Sequence, residues 1–158
     1  MGKRRRVVID NSILAEPFFP TMGRALAHQC TAVVAAIQSG DVIAFAPDLV
    51  YVEFMTVAGR WMSRRAGNPG QSADDATRSV KEFLQLPITR YTSDELADRA
   101  WDFVVGHHLS PTDAWYLACA EYKGAELWLS HRHADGFAEH ARACYRNVYV
   151  LAEQGFHE

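Results

Sequence analysis

Two kinds of apolar pattern alternate along this chain. Short runs rich in β-branched and aromatic residues read as strands buried on both faces: Val7-Val8-Ile9, Val42-Ile43-Ala44-Phe45, Ile88-Thr89-Arg90-Tyr91, Leu127-Trp128-Leu129-Ser130 and Asn147-Val148-Tyr149-Val150-Leu151. Between them lie longer stretches whose apolar residues recur at helical spacing. Met22 to Gln38 carries Leu26, Val33, Val34 and Ile37 and stops at Ser39-Gly40. Asp48 is placed to cap a helix from about Leu49 to Arg65, striped by Val50, Phe54, Val57 and Trp61. Ser72 to Asp75 opens another helix that ends near Leu86, before Pro87, and Thr92-Ser93-Asp94-Glu95 is a capping box leading to Gly106. Thr112 to Tyr122 is a helix of small and apolar residues closed by Gly124, and Asp135 to Ala143 is a shorter one. Pro17 and Pro20 break the connection after the first strand. Trp61, Trp101, Trp115 and Trp128 all fall on these patterns and are assigned to the core.

Strands that alternate with helices call for crossover connections, and hence a mainly parallel sheet covered on both faces. The expected class is a three-layer α/β/α sandwich, built as a single domain over residues 1–158.

Composition narrows the function. The formal net charge of -3 argues against a protein that coats nucleic acid by bulk electrostatics. Local basic groups remain at Lys3 to Arg6 and at Arg60, Arg64 and Arg65. No apolar run is long enough to span a bilayer, and Val7-Val8-Ile9 is too short for a signal-peptide core, so the cytoplasm is the expected location. Cys30, Cys119 and Cys144 give an odd count with no zinc-ligand spacing, as expected for thiols in a reducing compartment.

Three acids stand where chemistry is done in such folds. Asp10 ends the first strand, at the carboxyl edge where open α/β sheets bind ligands. Glu53 lies beside the apolar stripe of its helix, and Asp113 opens the small-residue helix. Each has a duller role open to it: Asp10, Asn11 or Ser12 as a helix cap, Glu53 as a flank residue, Asp113 as a first-turn acid. Grouped together, carboxylates are what Mg²⁺ or Mn²⁺ require, since hard cations take oxygen ligands and keep several waters. An ion so held activates water and neutralises phosphate charge, the chemistry of phosphodiester cleavage. His131 and His133 form an HxH pair without a third ligand at convincing spacing, and exposed loop residues are the default reading.

Four blocks in order resemble the PIN-domain family of metal-dependent ribonucleases, and within it the VapC-type toxins of bacterial toxin–antitoxin pairs. They are Val7-Val8-Ile9-Asp10-Asn11-Ser12, then Pro47-Asp48-Leu49-Val50-Tyr51-Val52-Glu53, then Leu109-Ser110-Pro111-Thr112-Asp113-Ala114-Trp115-Tyr116-Leu117-Ala118, then Glu126-Leu127-Trp128-Leu129-Ser130. The resemblance implies that Asp10, Glu53 and Asp113 hold Mg²⁺ or Mn²⁺ for catalysis, with Ser12 and Ser130 in support. It also implies an RNA substrate, a cognate antitoxin and a homodimer. Arg60, Arg64, Arg65 and Arg132 are the candidates to contact RNA phosphate.

The chain departs from the family at the fourth acid, where Arg132 stands. Asp135, three positions on, either reaches the site through a longer loop or caps the following helix. The departure keeps a second reading open, a degenerate PIN-like module that binds RNA or protein without cutting. A phosphoacceptor receiver domain ranks lower, because neither Phe45-Ala46-Pro47 nor Leu129-Ser130-His131 offers its central Asp or late Lys.

Overall fold

The computed structural model describes residues 4–63, 72–131 and 136–156. Its centre is a five-stranded sheet of β1 (Arg5–Ile9), β2 (Val42–Pro47), β3 (Ile88–Tyr91), β4 (Glu126–Leu129) and β5 (Val148–Val150). Every pairing is parallel, and the strand order is β3-β2-β1-β4-β5. The expected α/β/α class is what the chain adopts. Val7, Val8 and Ile9 are wholly buried, as the middle strand of such a sheet demands.

The helices are α1 (Asn11–Ala15), α2 (Arg24–Ser39), α3 (Val50–Met62), α4 (Ala73–Leu84), α5 (Ser93–His107), α6 (Pro111–Lys123), α7 (Phe137–Cys144) and α8 (Leu151–Gln154). From β1 the chain moves to one side to form β2 and β3, then returns past β1 to form β4 and β5. Right-handed crossovers in opposite directions put their helices on opposite faces of the sheet. The reversal makes the carboxyl edge beside β1 a topological switch point, the place where such sheets open a crevice.

Several boundaries follow local chemistry. Ser72 caps α4 by accepting from the Asp75 N–H at 3.1 Å, and Thr92 and Glu95 complete the capping box of α5. Gly40 and Gly124 end α2 and α6 in the left-handed conformation. In the second turn of α3, Phe54 stacks on Phe83 of α4 with centroids 3.9 Å apart, while Phe18 meets it edge-on and Phe19 packs against it at a tilt. That aromatic knot fixes α3 and therefore the side chain next to Phe54.

Three expectations need correcting. Residues 11–15 form a helix where only a broken connection was expected, because Asp10 caps it before Pro17 interrupts. Leu151 opens the short α8 and does not extend β5. Asp48 does not cap α3 with its side chain; its carboxylate accepts from Ser93 Oγ at 2.8 Å, and its N–H bonds to the Tyr91 carbonyl. No helix among the described residues is long and apolar enough to cross a membrane.

Candidate active site

Asp10 is the first residue past β1, and its N–H still bonds to the Trp128 carbonyl of β4 at 3.0 Å. Its carboxylate Oδ2 then accepts from the Ser12 N–H at 3.0 Å and from the Ser12 hydroxyl. The capping role and the cleft role therefore coexist, because a carboxylate has lone pairs for both. Ser130, fully buried just past β4, donates to Ser12 Oγ at 2.7 Å. With its one proton used, Ser130 accepts from His131 Nδ1, which lies 2.6 Å away. A hydrogen-bonded row of His131, Ser130, Ser12 and Asp10 thus crosses the switch point from β4 to β1.

Glu53 projects from the first turn of α3. Tyr116, three residues after Asp113 on α6 and fully buried, donates its hydroxyl to Glu53 Oε2 at 2.5 Å. Burial raises the Glu53 carboxyl from 4.5 to about 7; the Tyr116 hydrogen bond opposes that rise, and the negative charges of Asp10 and Asp113 add to it. Burial likewise lifts the Tyr116 phenol well above its ordinary range, so it stays a donor.

Asp113 occupies the first turn of α6, behind Pro111 at the helix start. The Ser110 hydroxyl accepts from the Asp113 N–H at 3.2 Å and donates to Asp113 Oδ2 at 2.7 Å. This reciprocal cap holds the carboxylate at the positive end of the helix.

The three acids line one cleft of about 430 Å³, together with Asn11, Ser12 and His131. Among the described residues, no three His, Cys, Asp or Glu side chains close into a ready-made metal cage. The donor set still fits an ion of one class. Open, all-oxygen sites with room for water suit Mg²⁺ or Mn²⁺, whereas zinc's tetrahedral sites want closely set nitrogen and sulfur. Asn11 adds a buried side-chain oxygen with no hydrogen-bond partner. Glu16 also lines the cleft, but its carboxylate is occupied by the Thr21 N–H, the Thr21 hydroxyl and the Met22 N–H, at 2.8 to 3.0 Å. It anchors the turn into α2 and is not available as a ligand.

The sequence expectations sort cleanly. The cleft brings together Asp10, Ser12, Glu53 and Asp113, with Arg60 exposed at its side and Ser130 behind Ser12. Arg64, Arg65, Arg132, His133 and Asp135 lie outside the described residues. The assignment of the tryptophans to the core is corrected at Trp101, which is 64% exposed. Trp128 is wholly buried, and Trp61 and Trp115 are half-buried against the core, Trp61 at the side of the cleft. Tyr116, Glu16 and Asn11 carry site contacts that the sequence reading missed. Only Tyr116 had a usable signal, its position one helical turn beyond Asp113.

Comparisons with known proteins bear on the family and the fold. The family model described as the PIN domain matches residues 7–141. No curated protein matches the chain. Among solved structures, a chain of a toxin–antitoxin complex from Klebsiella pneumoniae superposes with a TM-score of 0.60 at 18% identity, over 91% of this chain and 96% of that one. At that identity the superposition speaks for the fold, while the family model reaches from β1 into α7 and takes in all three cleft acids. The chain belongs to the PIN domain family.

Proposed function

We propose that this protein is a divalent-metal-dependent endoribonuclease and the toxin of a type II toxin–antitoxin pair. One observation carries the reading: three carboxylates from β1, α3 and α6 share a cleft in which Glu53 is raised to about 7 partly by the other two. Mutual repulsion of that kind is relieved by a cation. Asp10, Glu53 and Asp113 would hold Mg²⁺ or Mn²⁺, and such an ion supplies charge neutralisation at phosphate and acidifies water. Ser12, backed by Ser130, fixes the Asp10 carboxylate. Tyr116 fixes Glu53, and Ser110 fixes Asp113. Arg60 beside the cleft is suited to the RNA backbone. Arg64, Arg65 and Arg132 belong to the same proposal on sequence grounds alone, as does Asp135 as a further ligand.

The toxin assignment draws on the family and on the likeness to a chain of a toxin–antitoxin complex. The partners proposed with it are a cognate antitoxin and a second copy of this chain, in the cytoplasm. A non-cutting, binding-only module is the second reading, favoured by Arg132 at the family's fourth acid and by the lack of a closed ligand cluster among the described residues.

The test is cleavage of a pool of structured RNAs by protein purified free of any partner, with Mg²⁺, with Mn²⁺ or with EDTA. Cuts that need the ion and vanish in Asp10→Asn support the nuclease. A folded protein that cuts nothing with either ion sinks it in favour of the binding module.

A further inference from the structure

RNA is a polyanion, and the cleft by itself offers it little attraction. Three carboxylates line the cleft, and the whole chain carries a formal net charge of -3. Cations cluster instead at the opposite, amino edge of the sheet. Arg4, Arg5 and Arg6 lead into β1 there, Lys123 closes α6, and Arg146 stands in the turn before β5. A groove of about 330 Å³ at this edge is lined by Arg4, Arg5, Arg6, Glu126 and Asn147. Arg5 is engaged by Glu126 and the Trp128 ring, and Arg4 donates to the Gly40 carbonyl at the end of α2, 3.3 Å away. Two acids stand among the cations: Glu126 is taken by Arg5, and Asp41 accepts from the Ser39 hydroxyl. Arg6, Lys123 and Arg146 have no ion pair among the described residues, whereas Arg78, Arg99 and Arg142 are each paired with an acid. Rings hold two of the three in place. The Arg6 guanidinium lies 5.5 Å from the centre of Phe45, and the Lys123 ammonium lies 4.7, 5.4 and 5.6 Å from the centres of Tyr91, Phe45 and Tyr122. Tyr122 is 60% exposed beside them.

We propose that the amino edge around Arg6, Lys123 and Arg146 is a second RNA-binding surface, which grips the phosphate backbone away from the reacting bond. The choice of RNA as ligand rests on the nuclease reading of the cleft. Cations without an acid partner release counterions from a phosphate chain at no cost in broken ion pairs. Cations already seated on rings lose less freedom when a phosphate arrives. An exposed aromatic among cations suits a strand that offers both phosphate and base, whereas an acidic peptide has no base to set against the ring. The two ends of the sheet are separated by the five residues of β1, roughly 17 Å. A dinucleotide therefore occupies the cleft alone, while a longer chain reaches both ends. The edge contributes affinity for the longer chain and leaves the chemistry at Asp10, Glu53 and Asp113 unchanged.

The experiment measures anisotropy of a fluorescein-labelled oligouridylate over a series of KCl concentrations. The protein is full-length Asp10→Asn, so that the strand is not cut. The double variant Arg6→Gln/Lys123→Gln is compared with Arg78→Gln/Lys81→Gln, which removes the same charge from α4. Arg146→Gln, at an exposed turn, keeps the test open should the edge double fold poorly. The edge double is expected to lose about tenfold in affinity at low salt, and its slope of log affinity against log salt to flatten by about 1.4, for two phosphate contacts. Arg146→Gln is expected to flatten the slope by about 0.7, and the α4 double to stay within about twofold of the parent. Equal losses in the two doubles, an unchanged slope, or no binding by the parent at low salt overturns the surface. Retained oligouridylate binding with loss of polyglutamate binding in the edge double overturns it in favour of an acidic protein partner. In protein with Asp10 intact, the edge double is expected to raise KM for the long strand while kcat and dinucleotide cleavage hold. The two proposals fail separately: edge-dependent binding of RNA that is never cut removes the nuclease alone, and metal-dependent cutting with an unchanged KM in the edge double removes the surface alone.

Discussion

Tyr116 donates its hydroxyl to Glu53 across 2.5 Å, and that bond ties α6, which carries Asp113, to α3 at the cleft. The Asn11 backbone lies close enough to the same phenol to oppose the rise that burial gives its pKa, so the residue after Asp10 borders the junction as well. One buried phenol thus touches the elements that supply all three acids. Their relative placement is a matter of packing and does not wait for a ligand.

Tyr116→Phe isolates that role, since it keeps the ring and removes only the hydroxyl. The hydrogen bond lowers the Glu53 pKa against the pull of burial, so its loss sends the carboxyl further up from about 7. Hydrogen bonds to charged groups are worth about 1.5–3 kcal/mol. The expected result is a roughly tenfold or greater loss of metal-dependent cleavage at pH 7, with much of it regained at higher pH. A rate profile against pH that falls without moving to the alkaline side removes Tyr116 from this role.

Glu53 also sets a sign for stability against pH in the metal-free protein. Its folded pKa of about 7 exceeds the ordinary 4.5, so the folded state binds the proton more tightly than the unfolded chain. Between those values stability falls as pH rises, and outside them this group contributes no slope. Urea denaturation in EDTA at pH 5 and pH 8 is expected to show a smaller drop for Glu53→Gln than for the parent, since glutamine still accepts from Tyr116 but has no charge to bury. Magnesium acts in the opposite direction. It binds the ionised acids, so the gain in Tm on adding Mg²⁺ is expected to be larger at pH 8 than at pH 6. A gain independent of pH would argue that Glu53 is not among the ligands.

Asp10 needs a variant that separates its two duties. As the N-cap of α1 it accepts from the Ser12 N–H, and asparagine caps as well as aspartate. Asp10→Asn is therefore expected to unfold close to the parent's midpoint while losing cleavage. Asp10→Ala is expected to lose cleavage and a further ~1 kcal/mol of stability. Thermal melts beside cleavage assays decide it, and retained cutting by Asp10→Asn would show that the charge is not needed.

The frame of the molecule was legible in the sequence for a physical reason: buried strands and amphipathic helices write their burial into residue order. Val7 to Ile9 reads as a central strand and is one, and Thr92 with Glu95 reads as a capping box and forms it. Asp10, Glu53 and Asp113, which the structure places along one cleft, could be singled out together because strand ends and helix starts are positions that sequence can locate. What stayed hidden depends on neighbours across space. Tyr116 occupies an apolar position and passes for core until Glu53 is placed beside its hydroxyl. Trp61 lies on the apolar stripe of α3, yet that stripe is wide enough to reach past the core into the cleft. The five residues of α1 are too few for periodicity to speak, and its cap is the same carboxylate that the site uses.

At the amino end of β4, Glu126 offers a check that the site and the fold can be perturbed independently. Its Oε2 accepts from Arg5 at 2.6 Å and from the Trp128 indole N–H at 2.6 Å, while the Arg5 guanidinium lies 4.4 Å from the Trp128 ring centre. The ion pair is partly exposed and contributes little by itself. The indole is different, because Trp128 is wholly buried and has no water to turn to. Glu126→Ala strands that donor and is expected to cost about 1–3 kcal/mol. Glu126→Gln keeps an acceptor for it and is expected to cost less. Neither change reaches the carboxyl edge of the sheet, where Ser130 and Asp10 lie. Cleavage per folded molecule is therefore expected to match the parent in both, while the urea midpoint drops in order from parent to glutamine to alanine. A glutamine variant as unstable as the alanine one would assign the stability to the charge pair with Arg5 and not to the indole hydrogen bond.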